Sequence, residues 1–548
     1  MSFFVLFRRE MQGSLGRLVV MSALGGISNA IILAAINAGA AAADTGQSSL
    51  WAAALFVVSL LLFVKTQHYI LISATVEIEA IIHKVRVRLM DLVRQSELVP
   101  LDAIGRSGIV GAITRETATL TQATNTLAFA VQGVVLIFFV GIYVAYLSLL
   151  AFVLAILVVG VAAALFHAKS HHVTIGMREA SDWENRLFER LIDLLNGFKE
   201  VRLNQKRSED LFDDIVEVSR TAANIKIKTQ SEVFKRLVFS QSSMYVLLGA
   251  VAFAVPVFSD TAGGGSITKT ITALVFVVGA CFGLVQSIPI LTAANAAADN
   301  IERLETSLMA TIAAAQAGAV EPAKRFNEID VRNIVFRYVD KWSEAVFQIG
   351  PLDFTLRSGE LVFITGGNGS GKSTFLKVLA GLYTPDSGEV TFDGIRVNDR
   401  TRDGYRGLIT AIFSDYHIFK KLYGIADPDP AEVDRLLTDL KLADKTGITD
   451  GGEFRTVDLS SGQRRRLALI VSLLEKRPIL LLDEWAADQD PEFRRKFYFE
   501  LLPVMNRAGL TVVVVTHDDR YLNEVDYTAR RLHMDEGRLT ERQRVEND

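Results

Sequence analysis

The chain changes solvent partway along its length. Six stretches in the first three hundred residues are apolar over close to the roughly 20 residues that cross a bilayer core. They lie near Leu18–Ala42, Leu50–Ile72, Thr126–Tyr146, Leu149–His167, Ser243–Phe258 and Ile271–Ala293. The fifth is short and is expected to extend upstream towards Val238. One such run is readily a buried core helix; six in series predict membrane spans. After spans two and four the pattern becomes amphipathic, with apolar residues at three- and four-residue steps, as in IEAIIHKVRVRLMDLVRQ and WENRLFERLIDLLNGFKEVRL. That period is helical. Spans two to five are therefore expected to continue beyond the bilayer, turning through transverse pieces near Leu98–Val110 and Ile192–Glu200. Pro256 and Pro289 are expected to kink spans five and six.

Hydropathy falls after an alanine-rich stretch that ends at Pro322. Beyond it, short apolar strands alternate with helical segments, the pattern of an α/β domain with a mostly parallel sheet. The expected division is a six-span, all-helical membrane domain over 1–320 and an α/β domain over 321–548.

Charge sets the orientation. The long segments after spans two and four are rich in Lys and Arg, whereas the connections at 43–49 and 147–148 carry none and that at 259–270 carries only Lys269. Positive residues mark the cytoplasmic side, so both chain ends and the α/β domain are expected in the cytoplasm. The N-terminal segment lacks a small-residue cleavage site and is expected to be retained. A net charge of −4 over 548 residues argues against a nucleic-acid partner, and the single cysteine, Cys281, excludes an intrachain disulfide.

The second half carries the chemistry. Gly366-x4-Gly371-Lys372-Ser373 lies between a strand, LVFIT, and a helix, STFLKVLAGL. Glycines let backbone N–H groups curl around phosphate oxygens; the lysine reaches the outer phosphates and the serine hydroxyl holds Mg²⁺. A second buried strand, ILLLDE, ends in Asp483, placed to bind Mg²⁺, and Glu484, placed to polarise an attacking water. A third, TVVVVTHDD, ends at His517, a candidate γ-phosphate contact on the same sheet edge. LSSGQRRRLAL opens a helix whose N-terminus attracts anions.

Together these elements resemble the nucleotide-binding domain of ATP-binding-cassette (ABC) transporters, from about residue 325 to the end. Gly366, Asn368, Gly369, Ser370, Gly371, Lys372, Ser373 and Thr374 resemble its phosphate loop, Leu459–Gln463 its signature turn (Ser460, Ser461, Gly462, Gln463), Asp490 its D-loop aspartate and His517 its switch histidine. Tyr338 resembles the aromatic that stacks on adenine. The resemblance implies ATP and Mg²⁺ as cofactors. It also implies two chains facing head to tail, each ATP gripped by the phosphate loop of one and the signature turn of the other. Two departures stand out: Ser414 stands where the resemblance places the Q-loop glutamine at the metal, with either Ser414, through water, or Asp415 to take that contact, and Ser461 replaces a signature glycine. AIFSDYHIF and LLLDEWAADQDPEFRRKFYFELLP, with Trp485 after the catalytic glutamate, are similar to a narrower branch, the bacterial cyclic-peptide exporters of pyoverdine, syringomycin and microcin J25 type.

Polar residues inside spans are candidates for cargo contact. Lys65 either snorkels or lines a cavity; Gln132 and Gln286 bond either substrate or a neighbouring helix. The expectation is a homodimeric exporter in the bacterial inner membrane that moves a peptide and contacts lipid. The alternatives are a lipid or multidrug flippase of the same architecture, a membrane-anchored P-loop kinase and a regulatory ATPase without transport.

Overall fold

The computed structural model describes residues 3–10, 15–44, 49–168, 170–258, 264–312, 325–339, 345–449 and 451–541. The chain divides into two compact units: Met1–Arg94 with Ile104–Leu308, and Gln95–Ala103 with Met309–Asp548.

The first unit is helical throughout. Its elements are α1 (Phe3–Glu10), α2 (Leu15–Asp44), α3 (Leu50–Gln95), α5 (Arg106–Gly111), α6 (Thr117–Leu147), α7 (Leu149–Ala168), α8 (Ser170–Asn196), α9 (Phe198–Leu203), α10 (Gln205–Phe253), α11 (Val255–Phe258) and α12 (Gly264–Ile312), whereas α4 (Leu98–Ile104), between α3 and α5, falls in the second unit. Among the described residues five helices are long and apolar enough to cross a membrane, and Leu149–Ala162 of α7 forms a shorter apolar helix. The 20 residues of α7 rise about 30 Å at 1.5 Å each, enough for a hydrocarbon core. Ser148 adopts an extended backbone and its hydroxyl accepts from the Ala151 amide, so one residue separates α6 from α7. The long helices α3, α10 and α12 run well past bilayer length, as the amphipathic pattern predicts.

One detail differs from the sequence expectations. The second transverse piece is α9, bounded by Gly197 and by Asn204, whose side chain caps α10; residues 192–196 still belong to α8. The fifth span runs over Gln205–Val257 and is interrupted between Phe253 and Val255, just before Pro256, as expected. Pro289 sits inside a continuous α12.

Helices α2 and α6 meet through glycine. A Cβ on Gly26 would lie 2.5 Å from a methyl of Val135, the close backbone approach that small residues permit between membrane helices. At the other end of the unit Arg88 of α3 joins two carboxylates, Glu10 of α1 at 2.6 Å and Glu305 of α12 at 2.7 Å, and Arg9 adds a contact to each. Each carboxylate is nearly enclosed. Removing one partner from such a cluster is far more costly than the cluster is stabilising.

The second unit holds two sheets. The antiparallel one has the order β2-β1-β4-β5, from β1 (Glu328–Val339), β2 (Ala345–Arg357), β4 (Ser387–Phe392) and β5 (Ile395–Arg396). The other has the order β10-β9-β3-β8-β7-β6, from β3 (Leu361–Thr365), β6 (Ile409–Ile412), β7 (Ile479–Asp483), β8 (Thr511–Val515), β9 (Arg530–Asp535) and β10 (Arg538–Glu541). Strands β3, β7 and β8 are parallel and buried at every position, which is why they read as unbroken aliphatic runs. Helices α13 (Lys372–Leu379), α14 (Arg402–Arg406), α15 (Pro430–Asp439), α16 (Ser461–Leu474), α17 (Pro491–Lys496), α18 (Leu502–Arg507) and α19 (Asp519–Glu524) complete it. Within this unit Glu97 pairs with Arg402 and Arg406, and Leu98 packs on the core around Phe375 and Tyr405.

Gly26→Ala is expected to destabilise the α2–α6 contact by about 1–3 kcal/mol, the usual cost of overpacking. Gly39→Ala, where a Cβ meets nothing within 4 Å, is expected to be neutral or stabilising. Thermal unfolding of both variants in detergent checks the contrast; equal melting temperatures would refute the close approach.

Candidate functional site

Three strand ends define the site. Ile364 pairs with Val515, and Asp483 with Val515 from the other side, so β3, β8 and β7 finish level. The chain then leaves each strand at the same edge, into Gly366, Thr516–His517 and Glu484. After β3 the loop folds back: Gly366 has φ +149° and a Cβ there would collide with the Met534 carbonyl. Gly371, at φ +105°, leads directly into α13, and a Cβ on it would meet Ile349 at 2.6 Å. Only glycine fits both positions.

A cavity of about 350 Å³ opens over this loop, lined by Asn368, Gly369, Gly371, Lys372, Ser373, Thr374, Glu484 and Phe347. Lys372 bends back to donate to the Gly366 and Gly367 carbonyls at 3.0 and 2.7 Å. Burial lowers the pKa of its ammonium, and the Glu484 and Asp483 carboxylates oppose that shift. Ser370 lies beneath the loop, its hydroxyl buried without a partner.

Asp483 is 1 % exposed, and neither carboxylate oxygen has a hydrogen-bond partner at bonding geometry. Burial pushes its pKa up; the Ser373 hydroxyl, the Ser414 backbone and Lys372 pull it down, and the Glu484 charge adds to the rise. A buried, orphaned carboxylate beside a serine hydroxyl suits a hard divalent cation, which Mg²⁺ sites of this kind share between one or two protein oxygens and substrate phosphates. Among the described residues no cluster of three His, Cys, Asp or Glu offers an all-protein cage. The Ser414 backbone thus lies beside the Asp483 carboxylate, and both Ser414 and Asp415 are exposed.

Glu484 sits in the left-handed region at φ +50°. Its amide donates to the Val515 carbonyl at 3.0 Å, and its carboxylate meets His517 Nε2 at 3.0 Å. Behind His517, Asp518 accepts from Tyr498 at 3.0 Å and pairs with Arg494. Tyr498 lies in a π-helical turn, Phe497–Leu501, a feature that often re-aims side chains at functional sites.

Not every candidate residue joins this cavity. Ser460 and Gln463 form a reciprocal capping box at the start of α16, and Ser461 and Gly462 occupy its first turn; none of the four lines the cavity. Asp490 caps α17, accepting from the Phe493 amide, and pairs with Arg466 at 2.8 Å. Tyr338 is 37 % exposed and its hydroxyl lies 2.6 Å from that of Tyr383. The Tyr338 hydroxyl also meets Thr374 at the end of the phosphate loop, and Phe347, its cross-strand neighbour, lines the cavity; the alternation of AVFQIG was its only sequence signal. Tyr383 had none.

In the membrane unit, a cavity of about 470 Å³ between α6 and α12 is almost wholly apolar, lined by residues such as Val131, Val134, Leu284 and Ile288, with Ser287 among them. Lys65, Gln132 and Gln286 do not line it: Lys65 and Gln286 are exposed, and Gln132 is half-buried beside Gly25.

Residues 349–487 match the family model described as ABC transporter. The ATP-binding protein SyrD of Pseudomonas syringae pv. syringae is 34 % identical over 449 residues, 78 % of each chain. The glutamate/aspartate import ATP-binding protein GltL of Escherichia coli (strain K12) is 31 % identical over 218 residues, 38 % of this chain and 89 % of that one. A solved bacterial Atm1-family ABC exporter with ATP bound superposes with a TM-score of 0.76 at 19 % identity, covering 96 % of this chain and 95 % of its own. The chain belongs to the ABC transporter family. It is a half-transporter of exporter fold: a multi-pass membrane domain followed by an ATPase domain whose hydrolysis is coupled to transport. The family and fold drawn from the motifs are thus borne out.

Raising the folded-state pKa of Asp483 above its ordinary 3.8 has a thermodynamic consequence. Between those two pKa values the native state binds more protons than the unfolded chain, so stability falls as pH rises through the interval. Asp483→Asn is therefore expected to stabilise the nucleotide-free protein at pH 7 by about 1–3 kcal/mol, a gain that shrinks towards pH 4. Melting curves across that range check this; a variant melting below wild type at pH 7 would refute it.

Proposed function

We propose that the protein works as a head-to-tail homodimer in the bacterial inner membrane, its nucleotide-binding domains in the cytoplasm, and exports a peptide of cyclic, lasso or siderophore-precursor type. The observation that carries the dimer is the separation of parts within one chain. The phosphate loop, Asp483, Glu484 and His517 gather at one sheet edge, whereas the Ser460–Gln463 turn lines no part of that cavity. A second copy supplies the missing wall, and two-fold symmetry makes both sites complete at once.

In each site the phosphate-loop amides and Lys372 hold the β- and γ-phosphates, and Tyr338 and Phe347 hold the base end. Ser373 and Asp483, with Ser414 behind them, would hold Mg²⁺, which neutralises phosphate charge when bound. Glu484 orients water for attack on the γ-phosphorus, and His517 fixes the Glu484 carboxylate and reaches the γ-phosphate. Ser461 and Gly462 of the partner close over the same phosphates, with Asp490 flanking them. Closure moves residues 95–103, which belong to the ATPase unit and are covalently continuous with α3 and α5. That continuity carries nucleotide closure to the spans.

The peptide cargo is supported by the branch resemblance around Trp485, and by a SyrD match of 449 residues, too long for the ATPase half alone. The apolar α6–α12 cavity favours a second reading, a lipid flippase. Uptake of a cyclic peptide into inverted vesicles, run beside lipid flipping in liposomes, separates the two: ATP-dependent flipping without peptide uptake would overturn the peptide reading.

Glu484→Gln is expected to bind ATP and dimerise while losing about 10²–10⁴-fold in turnover, the range for removal of a positioned base. Size-exclusion chromatography with ATP and a phosphate-release assay check the two halves of this expectation. Turnover near the wild-type rate would remove Glu484 from its assigned place.

A further inference from the structure

The segment that carries Glu484 is fastened along the signature helix by bonds running in both directions. Arg465 lies one turn into α16, its side chain only 10 % exposed. Its Nη1 donates to the main-chain carbonyl of Glu484, and its Nε pairs with Asp488 at 3.0 Å. Trp485 returns the contact: its indole Nε1 donates to the Arg465 carbonyl at 2.8 Å. The indole is itself wholly buried and packs on Phe497 at 4.5 Å. Further along, Gln489 donates to the Gly462 carbonyl at 3.1 Å, and Arg466 binds Gln489 and Asp490, each at 2.8 Å. A Cβ on Gly462 would stand 2.8 Å from the Asp488 carbonyl. Residues 484–490 and the first two turns of α16 therefore move as one body.

Glu484 itself occupies a left-handed backbone conformation, which a residue with a side chain keeps only when its surroundings over-determine it. The Val515 carbonyl holds its amide and the Arg465 guanidinium holds its carbonyl. That second bond is charge-assisted, the stronger kind, and it springs from the helix whose N-terminus receives a phosphate.

We propose that Arg465 is a positioning residue that links the two nucleotide sites of the dimer. Engagement of the partner's nucleotide at the Ser461–Gly462 end of α16 sets, through Arg465, the orientation of Glu484 in this chain's own site. Each base is then ready only when the neighbouring site is also occupied. The inference rests on the head-to-tail dimer proposed above.

Mixed dimers with two affinity tags test it. In each, one chain carries Glu484→Gln, so the only working base belongs to its partner. Arg465→Gln is placed either in the chain with the working base or in the Glu484→Gln chain. Both dimers contain the same substitutions, so a folding defect lowers both alike. Turnover is expected to be at least about 10-fold lower, with KM for ATP shifted far less, when Arg465→Gln accompanies the working base; a lost charged hydrogen bond is of that size. Equal turnover in the two arrangements, or a greater loss when Arg465→Gln sits opposite the working base, overturns the proposal. A third mixed dimer carries Ser461→Glu with Glu484→Gln in one chain, opposite a wild-type partner. Loss of turnover there supports shared sites; full turnover refutes the head-to-tail reading itself, whatever Arg465 does.

Discussion

The chemistry of the ATPase unit depends on the register of three parallel strands. β3, β7 and β8 are aliphatic on both faces along most of their length, so no alternation of polar and apolar positions fixes their register. The pins are polar and lie at the ends. The Thr511 hydroxyl accepts from Gly359 at one end. At the other, the Glu484 amide donates to Val515 and the Thr516 amide to Ile364. These few bonds keep the phosphate loop, the Asp483–Glu484 pair and His517 on one line. A shift of one residue in any strand would carry a catalytic group about 3.3 Å away.

Around that line the unit gives up stability. Asp483 is enclosed without hydrogen-bond partners, Glu484 is held in a left-handed conformation, and Lys372 bonds backbone carbonyls of its own loop. The buried Asp483 carboxylate and the Glu484 backbone each cost the empty domain stability, and a bound cation would offset the first. The departures from good folding practice cluster where ligand is to bind, as expected when function rather than stability selects them.

Much of this was legible in the sequence because the carriers are short and contiguous. GGNGSGKST between strand and helix, LLLDE and VVVVTH each announce their chemistry within ten residues. Ser414 and Asp415 were marked by their position after a strand, with the choice between them left open, and the Ser414 backbone lies beside Asp483. What sequence does not carry is pairing across the fold. Phe347 matters because it faces Tyr338 across a hairpin, Tyr383 because its hydroxyl meets that of Tyr338, and Arg465 because residues 484–488 double back on it. In the membrane unit, hydropathy located the spans but not their rotation, so Lys65, Gln132 and Gln286 were singled out by polarity and none lines the α6–α12 cavity. The transverse piece α9 was displaced because the helical period persists through Asn196; the true signals were Gly197 and the capping Asn204.

On the dimer proposed above, the start of α16 accounts for why one copy of the chain is an incomplete machine. Its capping box uses the amides of Ser460 and Gln463, and the first helical bond runs from the Arg464 amide to the Ser460 carbonyl. The amides of Ser461 and Gly462 therefore sit in the turn where a helix has no partners of its own. There the helix dipole favours an anion, while glycine at 462 is required on the inner side, where a Cβ would stand 2.8 Å from the Asp488 carbonyl. The phosphates that suit this turn are not those of the same chain, whose loop opens at the sheet edge among other residues. On the dimer reading they come from the facing copy. The same helix, through Arg465, also grips the carbonyl of Glu484, so in that dimer phosphate binding at one site and water activation at the other would act on one piece of protein.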